Sequence, residues 1–388
     1  MLLFKIAGAQ KITALAVIFF LFAQQLAAQD SVRYSPRKTI RNFLNPDSVP
    51  LINFKVVPIP LLTSAPETGL RVGGALEYFF NAKKKGEQSE ARGSNIYGQM
   101  SISAKGQFEV KGSWQVFTKG EHFVFRGGAG YTTNTDRYWG VGNAGLAEKN
   151  YYTQNYSRLF LESRTYRLLK NQWYAGLKLD YSDSYNLSSD KPLDSVNARV
   201  SGINGSKVFG LGPALLYEGR DYPFSAHSGA FAEIYFSHYM PVSGDSYKYD
   251  TWFIDLRKYY PISKENTLAF QFMSLNSSGN VPLREMPRIG GASLMRGYFT
   301  GRFRDNSYTA GQAEIRFQIW RWLYGASFAA AGIMDQSINK YQFSNIRYAG
   351  GLGLRFLVNK KNRMFLRADC ALNGTSGAAY YIRLNEAF

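Results

Sequence analysis

From Phe54 to the end of the chain, apolar and polar residues alternate with a period of two, the spacing of a strand whose two faces meet different surroundings. Leu70, Val72, Leu76, Tyr78 and Phe80 share one face, and Arg71, Gly73, Ala75 and Glu77 share the other. The split recurs where Trp173, Ala175, Leu177, Leu179 and Tyr181 oppose Lys178, Asp180 and Ser182, and again in residues 249–257 and 311–320. Strands of a soluble sandwich also alternate, but they are usually about half as long. Here the runs are about 10–13 residues, each ending near an aromatic, which matches a tilted strand that crosses a membrane. The apolar face is expected to meet lipid and the polar face a lumen.

Strands are expected near 54–63, 69–81, 94–104, 107–118, 121–132, 154–167, 172–184, 206–217, 229–239, 248–259, 266–276, 308–320, 322–333, 346–357, 363–373 and 378–388. The number is even, as an antiparallel single-chain barrel requires. The predicted fold is all-β, a 16-stranded antiparallel transmembrane β-barrel. The turns at Lys105-Gly106, Lys119-Gly120 and Lys170-Asn171 form a tight set, while 133–153, 185–205 and 277–307 are long. With both chain ends in the periplasm, all three long connections fall on the outer side.

The start of the chain reads as an address. Lys5 and Lys11 give a positive beginning, residues 12–22 an apolar run, and Leu26-Ala27-Ala28 a small-residue exit, the pattern of a cleaved secretory signal. That run is too short to span a bilayer. Residues 1–28 are therefore expected to leave as a signal peptide. Residues 29–51, with Pro36, Pro46, Arg33, Arg37, Lys38 and Arg41, form a short periplasmic tail, and residues 52–388 form the barrel. The expected location is the bacterial outer membrane.

Composition sharpens this. Aromatics make up 16% of the 388 residues, as membrane-interface girdles require. The single cysteine, Cys370, can form no internal disulfide. A net charge of +18 would suit nucleic acid in another compartment, but an exported chain meets lipopolysaccharide phosphates and outer-membrane lipids instead, and no nucleic acid is expected. Lys83-Lys84-Lys85 reads as an exposed turn.

No enzyme, metal or cofactor is expected. His122, His227 and His238 are scattered, with no pair at metal-ligand spacing. Ser237 and His238 are neighbours on a strand and so point to opposite faces. No glycine-rich stretch follows a strand and opens a helix with Lys-Ser/Thr.

The segment Ile289-Gly290-Gly291-Ala292-Ser293-Leu294-Met295-Arg296-Gly297-Tyr298 breaks the alternation. Gly290-Gly291 followed by Met295-Arg296-Gly297-Tyr298 resembles the sixth-outer-loop motif of the BamA/TamA family of outer-membrane assembly barrels, Val-Arg-Gly-Tyr or Val-Arg-Gly-Phe, with Met295 in place of the usual valine. Arg220-Asp221-Tyr222-Pro223-Phe224 leading to Gly229 resembles the family's periplasmic turn, and Ala65-Pro66-Glu67-Thr68-Gly69 its first hairpin. Trp139-Gly140-Val141-Gly142-Asn143, Arg367-x-Asp369 and the final Phe388 also fit, so the resemblance covers roughly residues 52–388.

The resemblance implies a loop folded into the barrel, with Arg296 meeting acidic residues on the wall. A guanidinium leaving bulk water needs carboxylate partners and fixed geometry. Glu314 shares the lumen face with Gln312, Arg316 and Gln318 and is the expected partner. The family's next strand reads Phe-x-Asp-x-Gly, whereas this chain reads Phe328-Ala329-Ala330-Ala331-Gly332. Either Glu314 holds Arg296 alone, or Asp369 or Asp335 substitutes. Loss of folded barrel in Glu314→Ala, compared with Glu233→Ala as the neutral control, is the expected signature of such a lock.

Pro58 and Pro60 stand two apart on the first strand, so both missing amide hydrogens point to one side. If that side faces the last strand, they weaken the seam at which assembly barrels are thought to open; otherwise they trim an edge or form the periplasmic entry of the strand. In the last strand, Tyr380, Ile382, Leu384 and Phe388 resemble the family's terminal barrel signal, and Glu386 stands where an apolar residue is usual. Family members that insert other barrels usually carry periplasmic POTRA domains, for which residues 29–50 have no room. The chain resembles a short, barrel-only branch that needs a periplasmic or lipoprotein partner to handle client proteins. Two functions fit: an assembly or translocation barrel, or a passive pore with a plug.

Overall fold

The computed structural model describes residues 56–65, 68–80, 93–143, 150–242, 246–359, 363–374 and 377–388. The expected signal, the tail, the Lys83-Lys84-Lys85 turn and the Pro66-Glu67 step lie outside the described residues.

The strands are β1 (Val56–Ala65), β2 (Gly69–Phe80), β3 (Ser94–Ser103), β4 (Phe108–Phe117), β5 (Phe123–Tyr138), β6 (Tyr152–Lys170), β7 (Trp173–Ser189) and β8 (Ser206–Glu218). They continue as β9 (Gly229–Pro241), β10 (Tyr249–Pro261), β11 (Thr267–Gly279), β12 (Ser307–Trp320), β13 (Leu323–Asp335), β14 (Arg347–Asn359), β15 (Met364–Leu372) and β16 (Ala378–Leu384). Each is hydrogen-bonded to the next in one antiparallel sheet that follows sequence order. Among the described residues no strand pairing joins β16 back to β1, although the two lie side by side.

Side chains divide as the alternation requires. Leu70, Val72, Leu76 and Tyr78 are exposed on the outer face, while Ala75 and Glu77 are buried on the inner one. On β7, Leu177 is 59% exposed and its neighbour Lys178 3%. An apolar exterior around a buried polar interior is the reverse of a water-soluble domain.

Three expectations need correction. β16 ends at Leu384, not 388, because Asn385 adopts a left-handed φ of 64° that a continuing strand does not allow. β5, β6 and β7 are 16, 19 and 17 residues long. Their far ends carry on with Thr135 Oγ1 donating to Asn155 Oδ1 at 2.8 Å on one face and Tyr138 and Tyr152 buried on the other, and the polar residues between conceal the alternation. The Lys105-Gly106 turn joins β3 to β4, so it lies at the same end as the long connections rather than with the other tight turns.

Residues 280–306, between β11 and β12, fold against the inner face. Ile289, Leu294, Met295 and Tyr298 pack on Tyr308 and Ala310 of β12, Ala330 and Met334 of β13 and Ala349 of β14. The three alanines leave the wall shallow enough to receive the loop.

Candidate functional site

Arg296 is 1% exposed. Its Nη2 donates to Glu314 Oε2 at 2.7 Å and its Nη1 to Asp369 Oδ2 at 2.8 Å, so two carboxylates from strands three places apart share one guanidinium. Gln312 Oε1 accepts a further, longer bond at 3.3 Å. The guanidinium lies 3.4 Å from the Phe328 ring centroid, and Phe328 stands directly across the β12–β13 ladder from Glu314. Charge-assisted bonds and a ring face together replace the water that Arg296 gives up.

The loop is shaped for this. Gly290 has φ +103°, and a Cβ there would fall 2.6 Å from Tyr298 O. Met295 has φ +54°, a conformation that costs a β-branched residue most. Gly297 N donates to Tyr381 Oη at 3.1 Å, and Gly297 O accepts from Asn373 Nδ2 at 2.9 Å. Tyr298 Oη donates to Tyr348 O at 3.2 Å and Asn373 O at 3.3 Å. Gly291 N bonds Tyr298 O at 3.4 Å and closes the motif on itself. The loop tip is thereby tied to β12, β14, β15 and β16.

Of the alternatives left by the missing aspartate, Asp369 is the residue in contact. Asp335 is elsewhere, beside Asn143 Nδ2 at 3.5 Å. Ala330 belongs to the apolar cluster under Leu294 and Met295, so the position opposite Gln312 serves packing rather than charge.

A second arginine completes the circuit. Arg355, on the inner face of β14, gives Nη1 to Asp369 Oδ1 at 2.6 Å and Nε to Glu386 Oε2 at 2.7 Å, with Nη2 3.5 Å from Glu314 Oε2. Arg316 Nε donates to Glu314 Oε1 at 2.8 Å, and Arg367 Nη2 donates to Ala292 O of the loop at 2.8 Å. At Gly353 a Cβ would meet Asp369 Oδ1 at 2.1 Å and Arg355 Nη1 at 2.5 Å, so only glycine admits this pair. Sequence reading had not singled out Arg355; its signal was an arginine at an inner position of β14, two residues after that glycine.

Other positions named from sequence fall as follows. Trp139 meets the loop at Phe299, ring centroids 5.3 Å apart, and Gly142 N donates to Arg304 O at 2.9 Å. Arg220 makes two bonds to Glu218, at 2.9 and 2.6 Å, and one to Pro223 O at 3.1 Å, bracing the β8–β9 turn. Tyr380 and Ile382 are exposed on the outer face, while the Leu384 side chain lies outside the described residues. Phe388 departs from that face altogether and is buried on the inner side. Glu233 is no neutral control: Arg126 at 2.9 Å, Arg164 at 3.2 Å and Tyr166 Oη at 2.9 Å all donate to it. Buried on the inner face of β9, it gathers Arg126 of β5 and Arg164 of β6 and is the hub of a separate ion cluster.

Pro58 pairs with Leu76 and Pro60 with Gly74 in an unbroken β1–β2 ladder. Neither has an N–H to give, and standing two apart on one strand they lack it on the same side.

Comparison with known proteins agrees with this architecture. Among solved structures, BamA from Haemophilus ducreyi lacking POTRA domains 1–3 superposes with a TM-score of 0.54 at 11% identity, over 85% of this chain and 70% of that one. CdiB from Acinetobacter baumannii gives 0.56 at 13%, over 86% and 60%, and CdiB from Escherichia coli 0.53 at 11%, over 86% and 63%. This chain therefore spans less than two thirds of either CdiB chain. No curated protein sequence matches it. The Omp85 superfamily domain model matches residues 71–362, and with a sheet that carries its inner loop on a buried arginine, the chain belongs to the Omp85 superfamily.

Proposed function

We propose that this chain is a bacterial outer-membrane β-barrel, its sixteen strands closed between β1 and β16, that inserts or translocates other polypeptides. The observation that carries the reading is the junction itself: among the described residues β1 and β16 lie side by side without a ladder, and Pro58 and Pro60 leave β1 two amide donors short. A seam short of hydrogen bonds opens at lower cost than any other pair in the sheet. An opened β1 offers an incoming chain a strand edge on which to pair. The sixth outer loop supports the same reading, since it is anchored to β15 and β16 beside the seam through Asp369 and Tyr381.

Outer-membrane lipids and lipopolysaccharide surround the proposed barrel, and its work involves client proteins and a periplasmic or lipoprotein partner. Catalysis by side chains is no part of the proposal. Depleting the protein and following the heat-modifiable mobility of other outer-membrane barrels tests it: accumulation of unfolded barrels is expected. Normal folding of every other barrel, with a steady high-conductance state unaffected by Arg296→Ala, points to a passive pore instead.

A further inference from the structure

The residues after β16 do something a lipid-facing strand end cannot. Asn385 N still donates to Phe365 O at 2.7 Å, and with its left-handed φ the chain then turns to the inner side. Glu386, its side chain 2% exposed, meets Arg355 Nε at 2.7 Å and lies 3.8 Å from Arg316 Nε. Phe388 is buried with Ala226 of the β8–β9 turn, Tyr259 of β10 and Ala269 of β11. Its ring stacks on Tyr259 at 6.2 Å, the Arg316 guanidinium lies 5.2 Å from its centroid, and Arg316 Nη2 donates to Phe388 O at 3.0 Å. Residues 386–388 thus cross from the seam strand to strands four to six places along the sheet, at the periplasmic mouth.

We propose that the inner wall carries a binding site for an aromatic residue with its main-chain oxygen, preceded by a carboxylate two residues earlier, and that residues 386–388 are its resident ligand. Tyr259 and Arg316 take the ring, Ala226 and Ala269 give it room, Arg316 takes the carbonyl, and Arg355 and Arg316 take the carboxylate. Seated there, the segment plugs the mouth. It also secures the loop: Arg296, Arg316, Arg355 and Arg367 face Glu314, Asp369 and Glu386, and withdrawing Glu386 leaves four guanidiniums with two carboxylates in a buried space. Their repulsion is relieved by loosening Arg296, so release of the segment and release of the loop are coupled, reciprocally. The departure noted in the sequence, a glutamate where an apolar residue is usual, is the residue that makes this connection. The device requires the barrel and not the insertion activity, so it stands or falls separately from the proposed function.

The test is a chain ended after Asn385, reconstituted in planar bilayers, with the hexapeptide Arg-Leu-Asn-Glu-Ala-Phe as the probe. A gain in current over the full chain is expected, together with loss of hydrogen-exchange protection at Gly297 and Tyr298. Added peptide restores the block and the protection, and the same peptide ending in alanine does neither. Phe388→Ala in the full chain, which keeps Glu386, covers a truncation that fails to fold: it is expected to raise the current while the loop amides stay protected. Unchanged current in both chains overturns the plug, and raised current with unchanged amide protection in the truncated chain overturns the coupling.

Discussion

Arg296 Nη1 stands 2.8 Å from Asp369 Oδ2, a bond that ties the loop between β11 and β12 to β15. The second carboxylate at Arg296 comes from β15, the neighbour of β16, while the β13 position opposite Gln312 is Ala330. Arg355 Nη1 shares it at 2.6 Å and Arg367 Nη1 lies 3.2 Å away, so Asp369 holds three arginines at once.

Replacing Asp369 by alanine leaves Arg296 and Arg355 buried with a partner removed, a change that typically costs about 3–5 kcal/mol. Asp369→Ala is expected to lower the urea midpoint of the barrel in lipid vesicles. Asp369→Asn loses less, because the amide oxygen still accepts one bond. Exposed Lys264→Ala serves as the control, and an Asp369→Ala midpoint equal to it rules out the lock.

Met295 is held at φ +54° with its side chain fully buried. Met295→Val adds β-branching to a residue already held in the left-handed region, where a branched side chain is strained further. Faster exchange of the Arg296 and Gly297 amides is expected. Slower exchange than in the parent contradicts the strain argument.

Pro58→Ala with Pro60→Ala returns two amide donors to β1, which lies beside β16. At about 0.5–1.5 kcal/mol for each bond formed, the seam tightens. The variant is expected to unfold at higher temperature and to lose insertion of other barrels in the depleted strain. A melting temperature and activity identical to the parent's separate the prolines from the seam.

His227, in the turn between β8 and β9, is held below the usual imidazole range chiefly by burial and next by Arg363, with Asp221 and Glu265 pulling the other way. Its ring Nδ1 lies 2.6 Å from Thr267 Oγ1, and its backbone N–H donates to Asp221 Oδ1 at 2.9 Å. A depressed histidine pKa means that the unfolded turn binds the proton more readily. Its contribution is therefore full above the ordinary value near 6.5 and is lost as pH falls through the lower folded value. Protease nicking between residues 219 and 229 is expected to rise from pH 7.5 to pH 5, and His227→Asn to abolish that dependence. Nicking that is flat across this range in the parent chain counts against it.

Strand by strand, side-chain alternation is a local property, so the period-two pattern was enough to mark an antiparallel sheet with a lipid-facing exterior and to place Glu314 and Arg316 on the inner face. Glycine spacing and the Arg296 motif likewise marked the loop that leaves the sheet. Which carboxylates meet Arg296 was not local: Asp369 lies 73 residues away, and only strand order and register bring it within 2.8 Å while Asp335 is carried off toward Asn143. The path after Leu384 was decided by tertiary structure too. Phe388 reads as one more residue of the last strand, but a buried pocket formed by three distant strands and a turn, with two arginines awaiting a carboxylate, outweighs the continuation of one edge ladder.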